Sequence, residues 1–426
     1  MEFSLNKPSS ALAASEPVLV VGAGPAGATA ARRLAEAGIK VRLLDRASFP
    51  RNKPCGGGIS VRVLSRFPFL EPKLSRIATH TLSRLYLEGP AGESAVVTSN
   101  APATLMIRRV EFDALLVSLA VDAGAELVTA ADIVQASDAG GRVTLVSRDG
   151  RRFESHTVIA ADGVHSTVAR RLGLNPGWPP SSIALDMMEE TPRTMLRDVD
   201  PSTLWVAYGY NGPGYAYIFP KRDHVNIGIG YVLSHYRTEV AASPYDLQRA
   251  FVDSLRSRGI VAGESVRRNF TPFLIPVGGP LSRPGRGRVL LAGDAGGFVN
   301  AFTAEGIYYA MVTGDLAART IVDEAAARKR PEERSDLATR YRRACDREIG
   351  PELRDSVLIQ RYLFASPRRI ARLIRGIPRN PAMTRAVLDY AMGRRSYRSV
   401  RRRLLSRSPT LAVSMMAELA KSFVQS

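Results

Sequence analysis

Four consecutive apolar residues, Val18–Val21, run into Gly22-x-Gly24-x-x-Gly27, and this junction constrains the 426-residue chain more than any other feature. The apolar run suits a strand buried on both faces of a parallel sheet. The three glycines answer three separate demands. Gly22 permits a tight turn, Gly24 lets backbone approach a pyrophosphate, and Gly27 lets the next helix pack closely on its strand. Pro25 and Ala26 sit between them in the same cofactor-binding turn. The helix sets Ala26, Ala30, Leu34 and Ala37 along one face and stops at Gly38. A second strand, Ile39–Leu44, leads into Asp45 and Arg46, with Asp45 placed to accept hydrogen bonds from a ribose. The spacing predicts a βαβ unit that binds a dinucleotide.

Two later stretches narrow the dinucleotide to a flavin. In Arg288–Ile307 a short apolar strand is followed by Gly293 and Asp294. An acid there can hydrogen-bond the ribityl hydroxyls of FAD, which a nicotinamide dinucleotide lacks. A helix is expected to begin near Glu305, its positive end, with Gly306 and Ile307, set against the flavin pyrimidine. The strand Thr157–Ala160 leads into Asp162 and Gly163, which would close the site from a second side. Arg109, in RRVEFDALL at the start of another expected helix, is a candidate for reaching the cofactor, its alternative being a surface arginine.

The segments Phe49–Ser60 (FPRNKPCGGGIS) and Tyr215–Lys221 (YAYIFPK) carry the remaining chemistry. Tyr215, Tyr217 and Phe219 alternate, so on a strand they share a face, either as core or as a substrate wall. Pro220 and Lys221 end that strand, the lysine reading as a solvated turn residue. Cys55 lies between Pro54 and three glycines, a loop able to bring backbone close to an isoalloxazine. The other cysteine, Cys345, reads as part of an ordinary helix.

The three dinucleotide stretches resemble the FAD-binding signatures of the para-hydroxybenzoate hydroxylase fold, over about residues 16–325. FPRNKPCGGGIS and YAYIFPK resemble the geranylgeranyl reductase family, whose members saturate isolated double bonds in prenyl chains. The resemblance implies an α/β fold: a Rossmann-type FAD-binding domain, an antiparallel-sheet substrate domain and a helical C-terminal region. It places Cys55, Gly56 and Gly57 beside the flavin, Gly58 and Phe219 along the substrate, and Cys55, Tyr215 and Tyr217 in catalysis. Tyr217 stands where the family usually has tryptophan, and Ala301 and Ala304 replace a common proline and glycine. Saturating an unpolarised alkene requires a hydride on one carbon and a proton on the other. Aromatic faces can stabilise the positive charge that develops between the two events. The electron donor expected is NADPH, NADH or a small redox protein. Two other readings use the same fold: a monooxygenase of apolar or aromatic substrates, and a flavin-bearing membrane-surface protein without turnover.

Length and charge complete the expectations. A chain of this size exceeds one ordinary core. The division expected is a disordered lead-in over 1–15, an FAD-binding domain over 16–175 with inserted strands near 76–99, and a substrate-binding antiparallel sheet over 176–284. The FAD-binding domain resumes over 285–325, and a basic helical region follows over 326–426. Two cysteines fit a reducing cytosol, and no cluster has metal-ligand spacing, so no metal is expected. Most of the formal net charge of +19 lies after residue 325, where 24 lysines and arginines face 9 acids. Arg394–Arg407 is densely basic, and Leu411, Met415, Leu419 and Phe423 continue at helical spacing. Such a tail suits an anionic membrane surface, and no nucleic-acid-binding motif accompanies it. No apolar run is long enough to span a bilayer, so attachment is expected to be peripheral, at the cytoplasmic, inner face.

Overall fold

In a computed structural model the chain is described over residues 16–210, 212–327, 336–381, 384–385 and 402. Residues 1–15, the arginine cluster of 394–407 apart from Arg402, and the stripe Leu411–Phe423 lie outside these residues. Four motif strands lie side by side in a six-stranded sheet, in the order Val41–Leu44, Val18–Val21, Val158–Ala160 and Val289–Leu291. All four run parallel, with Leu19 opposite both Arg42 and Val158, and Ile159 opposite Leu290. Their carboxyl ends therefore emerge at one edge, carrying Asp45, Gly22, Asp162 and Asp294 together. That edge is where open α/β sheets bind ligands.

Both faces of this sheet are covered, as uninterrupted apolar strands require. Helices Pro25–Glu36, Arg109–Asp122 and Ile307–Ala326 pack on one face. The meander Ile133–Ala139, Arg142–Ser147 and Arg152–Ser155 covers the other through Val143, Leu145 and Phe153. The first and third helices touch along small residues: a Cβ at Gly314 would stand 2.1 Å from the Ala26 carbonyl oxygen. Helix Ile307–Ala326 begins within two residues of Glu305, where the sequence predicted it.

A second sheet has seven strands, ordered Phe270–Pro276, Ile183–Pro192, His224–Val232, Gly214–Pro220, Thr203–Tyr208, Arg84–Glu88 and Ser94–Thr98. Its pairings are antiparallel except for Thr203–Tyr208 with Arg84–Glu88, which run parallel. Two strands from the region near 76–99 thus complete its far edge. Alternation decides what each face does. Ala216 and Ile218 point to a core closed by helix Pro244–Ser257, while Tyr215, Tyr217 and Phe219 point the opposite way. Over this aromatic face lie helices Gly350–Phe364 and Pro367–Arg379, bringing Leu363, Ile370, Ile374 and Ile377 down onto it. Among the described residues no helix is long and apolar enough to cross a membrane, and no group of side chains has metal-binding geometry.

Candidate functional site

Every site residue picked from the sequence except Gly27 lines one cavity of about 1650 Å³. A pocket for one small ligand is about 300–1,000 Å³, so this cavity has room for two. Gly27 lies behind the wall. A Cβ there would stand 1.8 Å from the Gly22 carbonyl oxygen, so its part is close packing of helix on turn. Gly22 itself has φ +94° and lies against Ala161, a conformation that excludes other residues.

One end of the cavity is built of charge and bare amides. Helices Pro25–Glu36 and Ile307–Ala326 start at Gly24 and Gly306 without side-chain caps, and both starts face the cavity. Their free N–H groups and dipoles favour an anion. Above Gly24, guanidinium nitrogens of Arg51 and Arg109 lie 3.8 and 4.0 Å from where a Cβ would be, leaving a cradle with two cations over it. Arg109 is fixed by a bidentate pair to Asp113 at 2.7 Å for each contact, and Arg51 reaches the same carboxylate at 3.2 Å. Burial opposes the Arg109 charge, but Asp113 and the adjacent Cys55 outweigh it and raise its pKa. Asp45 accepts the Ala23 and Ala47 N–H groups at 2.7 and 2.8 Å, which locks its carboxylate over the turn. Arg46, exposed, lines the rim. Asp294 makes no side-chain hydrogen bond among the described residues and is free to bind hydroxyls. Asp162 differs. It accepts from Ser166 Oγ at 2.5 Å and from the Val168 N–H at 3.2 Å, so its carboxylate caps helix Thr167–Arg171 and its backbone, with Gly163, forms the wall. A dinucleotide with a pyrophosphate and a polyol chain fits this set.

The other end is aromatic and apolar. The rings of Tyr215, Tyr217 and Phe219 follow one another at 5.7 and 4.4 Å, and Tyr208 stacks on Phe302 at 4.8 Å beside them. Leu85, Leu87, Val206, Phe273, Ile359 and Ile374 continue the lining. The Cys55 loop sits at the junction of the two ends. Gly56 is pressed on the Phe219 ring, where a Cβ would come within 2.8 Å. Cys55 Sγ accepts the Gly57 N–H at 3.4 Å, and its carbonyl accepts Asn226 Nδ2 at 3.2 Å. Burial holds the Tyr215 and Tyr217 hydroxyls well above their ordinary pKa.

Several residues at the site escaped the sequence reading. Lys221 is 2 % exposed and pairs with Glu190, which also binds Arg108 at 2.7 Å; it is a buried brace behind Gly57 rather than a solvated turn residue. Arg51 and Lys53 stand immediately before the glycine loop, and Lys53 faces the cavity. Burial, then Arg109, lowers the Lys53 pKa against the pull of Asp294. Asp186 is 2 % exposed, lines the cavity and accepts the Tyr217 hydroxyl at 3.1 Å. Burial pushes its carboxyl up to about 7, against the lowering effect of that hydrogen bond.

Comparison with known proteins identifies an FAD-binding family over most of the chain. The FAD binding domain family matches residues 15–344. The menaquinone reductase of Mycobacterium tuberculosis is 33% identical over 348 residues, 77% of this chain and 81% of its own. Digeranylgeranylglycerophospholipid reductase 1 of Methanopyrus kandleri is 33% identical over 358 residues, covering 79% and 91% respectively. The crystal structure of a geranylgeranyl bacteriochlorophyll reductase-like protein from Thermoplasma acidophilum superposes with a TM-score of 0.75 at 20% identity, over 93% of this chain and 98% of that one.

Proposed function

This chain belongs to the geranylgeranyl reductase-like FAD-dependent oxidoreductases, and from that premise we propose that it saturates isolated C=C bonds in the prenyl chain of a lipid, quinone or diphosphate. The observation that carries the reading is the single cavity with a charged, amide-rich end and an aromatic, apolar end, meeting at the Cys55 loop. When bound in its reduced form, FAD supplies the hydride. Electrons reach it from NADPH, NADH or a small redox protein.

The chain's own residues do the rest. Arg51 and Arg109 offset the pyrophosphate charge over Gly24, Asp45 orients the ribose, and Asp294 takes the ribityl hydroxyls. Gly56 keeps the loop flush against Phe219, so an alkene beside that ring is shielded from water. The faces of Tyr215, Tyr217 and Phe219 favour positive charge developing on the substituted carbon. Helix Pro367–Arg379 closes the apolar end with Ile370, Ile374 and Ile377 and exposes Arg368, Arg372, Arg375 and Arg379. That arrangement supports peripheral docking on an anionic, cytoplasmic membrane face, where the substrate's chain enters from lipid.

The test is anaerobic. The flavoprotein is reduced with dithionite and mixed with a panel of prenylated lipids, and products are weighed by mass spectrometry. The expected result is a lipid that gains two hydrogens for each flavin reoxidised. Reoxidation only in air, with an oxygenated product, would replace this reading with the monooxygenase.

A further inference from the structure

Alkene reduction needs a proton as well as a hydride. Of the two acids that strand Ile183–Pro192 sets on the aromatic face, Glu190 is paired with Lys221 and Arg108, while Asp186 is bound by a hydroxyl. Asp186 projects from strand Ile183–Pro192 onto the same face as the tyrosine row. The next strand, His224–Val232, presents Gly230 opposite Asp186 and Gly228 opposite Tyr217. A Cβ at Gly228 would stand 2.4 Å from the Tyr217 hydroxyl. Two glycines thus clear the ground on which the tyrosine lies across its neighbour to reach the carboxyl. Oδ1 is bound by the Tyr217 hydroxyl at 3.1 Å; Oδ2 has no hydrogen-bond partner among the described residues.

Among the described residues Asp186 has no charged partner, and its neighbours are mostly apolar. Strand Phe270–Pro276 sets Phe273 opposite it, and helix Gly350–Phe364 contributes Gln360 and Phe364 nearby. The segment before helix Ile307–Ala326 adds Ala301 and Ala304. The facing titratable groups are the Tyr215 and Tyr217 hydroxyls, with Cys55 beyond them. Lys53, Arg237 and Glu305 also line the cavity, and among the described residues none of them forms a hydrogen bond or ion pair with this carboxyl. Among the described residues no cation pairs with this carboxyl to hold it ionised, and stability alone gives no reason to bury it.

We propose that Asp186 is the residue that protonates the alkene, with the Tyr217 hydroxyl positioning its carboxyl. The assignment rests on the reductase reading above. The π bond breaks as one carbon takes a hydride from reduced flavin and the other takes the Asp186 proton. Two C–H bonds form, the flavin is left oxidised by two electrons, and Asp186 is left as a carboxylate that regains a proton from solvent. The acid serves because its proton affinity lies near neutrality, whereas the buried tyrosines hold their protons too tightly.

Two measurements test this. The first is infrared titration of the flavoprotein without substrate. A buried protonated carboxyl band should fade as pH rises through about 7 and be missing in Asp186→Asn. The second is the anaerobic single-turnover rate with a prenyl lipid that the wild type reduces. It should fall above the same pH and drop about 10²-fold or more in Asp186→Asn, the usual contribution of a general acid, with an unchanged flavin spectrum. Tyr217→Phe removes a donor to the ionised form, so it should slow turnover and carry both the band and the falling limb to higher pH. An Asp186→Asn rate within about threefold of wild type, far below a general acid's contribution, with the limb intact, overturns the assignment and leaves the reductase standing. A wild type that reduces no prenyl lipid removes both. If Asp186→Asn does not fold, Tyr217→Phe decides: a limb that stays in place overturns the proposal.

Discussion

The two ends of the cavity treat charge in opposite ways. At the fingerprint end Arg109, Asp113 and Arg51 form a buried chain, with Asp45 3.9 Å beyond Arg51. At the aromatic end Asp186 has one hydroxyl for company. A networked end sets each buried charge against an opposite one, which suits a site that must hold a dianionic pyrophosphate. An isolated carboxyl keeps a proton available instead. The difference teaches that burial alone does not define a polar group's work; the partners do.

The largest effect should follow from cutting the network. Arg109→Met leaves Asp113, 0 % exposed, with Arg51 alone. Breaking a buried pair on one side costs about 3–5 kcal/mol, so a large drop in unfolding free energy and loss of flavin on gel filtration are expected. Arg109→Met/Asp113→Leu should regain most of the stability, because no buried charge is stranded, while still binding flavin weakly. If the double variant is as unstable as the single one, the charges do not act as a network.

How much of this was legible in the chain depends on how local each requirement is. The glycine turn could be read because each glycine answers to its own neighbours: Gly22 to its φ of +94°, Gly27 to the carbonyl five residues earlier. The tyrosine row could be read from its alternation. Asp186 could not. In IALDMMEETP the acids at 186 and 190 share a parity, but nothing in the string says which face meets the cavity. That was settled by pairing with strands some forty and ninety residues away in the chain. Lys221 was misread for the same reason, since its partner Glu190 lies on a strand that is not its immediate neighbour. Arg51 and Lys53 sat inside a segment already singled out, and their charge beside a glycine loop was a usable signal.

The isolated end makes a pH-dependent prediction of intermediate size. Burial raises the Asp186 carboxyl above its ordinary 3.8, to about 7. Between those values the folded protein keeps a proton that the unfolded chain releases, so this group lowers stability as pH rises through the window. Asp186→Asn cannot ionise. Its thermal stability relative to wild type should therefore grow from pH 4 to pH 7 and stay level above, by roughly 2–4 kcal/mol at about 1.4 kcal/mol per unit. A difference in Tm that is flat with pH would mean that Asp186 is already charged in the fold, and the contrast between the two ends would collapse.

The smallest effect concerns charge that neither end buries. Helix Pro367–Arg379 roofs the apolar end with its isoleucines and leaves Arg372 exposed, with no ion pair among the described residues. Near an anionic leaflet each arginine contributes about 1 kcal/mol, or roughly fivefold in partitioning. Arg372→Gln should therefore bind anionic phospholipid vesicles about fivefold more weakly in a sedimentation assay. It should behave as wild type on zwitterionic vesicles and keep its flavin. The difference should disappear near 1 M salt, where screening acts within about 3 Å. Equal losses on both vesicle types would show that the helix face binds lipid through its apolar residues, and the outward arginines would then be ordinary surface charge. A salt-sensitive loss confined to anionic vesicles would give the molecule a third use of charge, on the outside of the helix that closes the cavity.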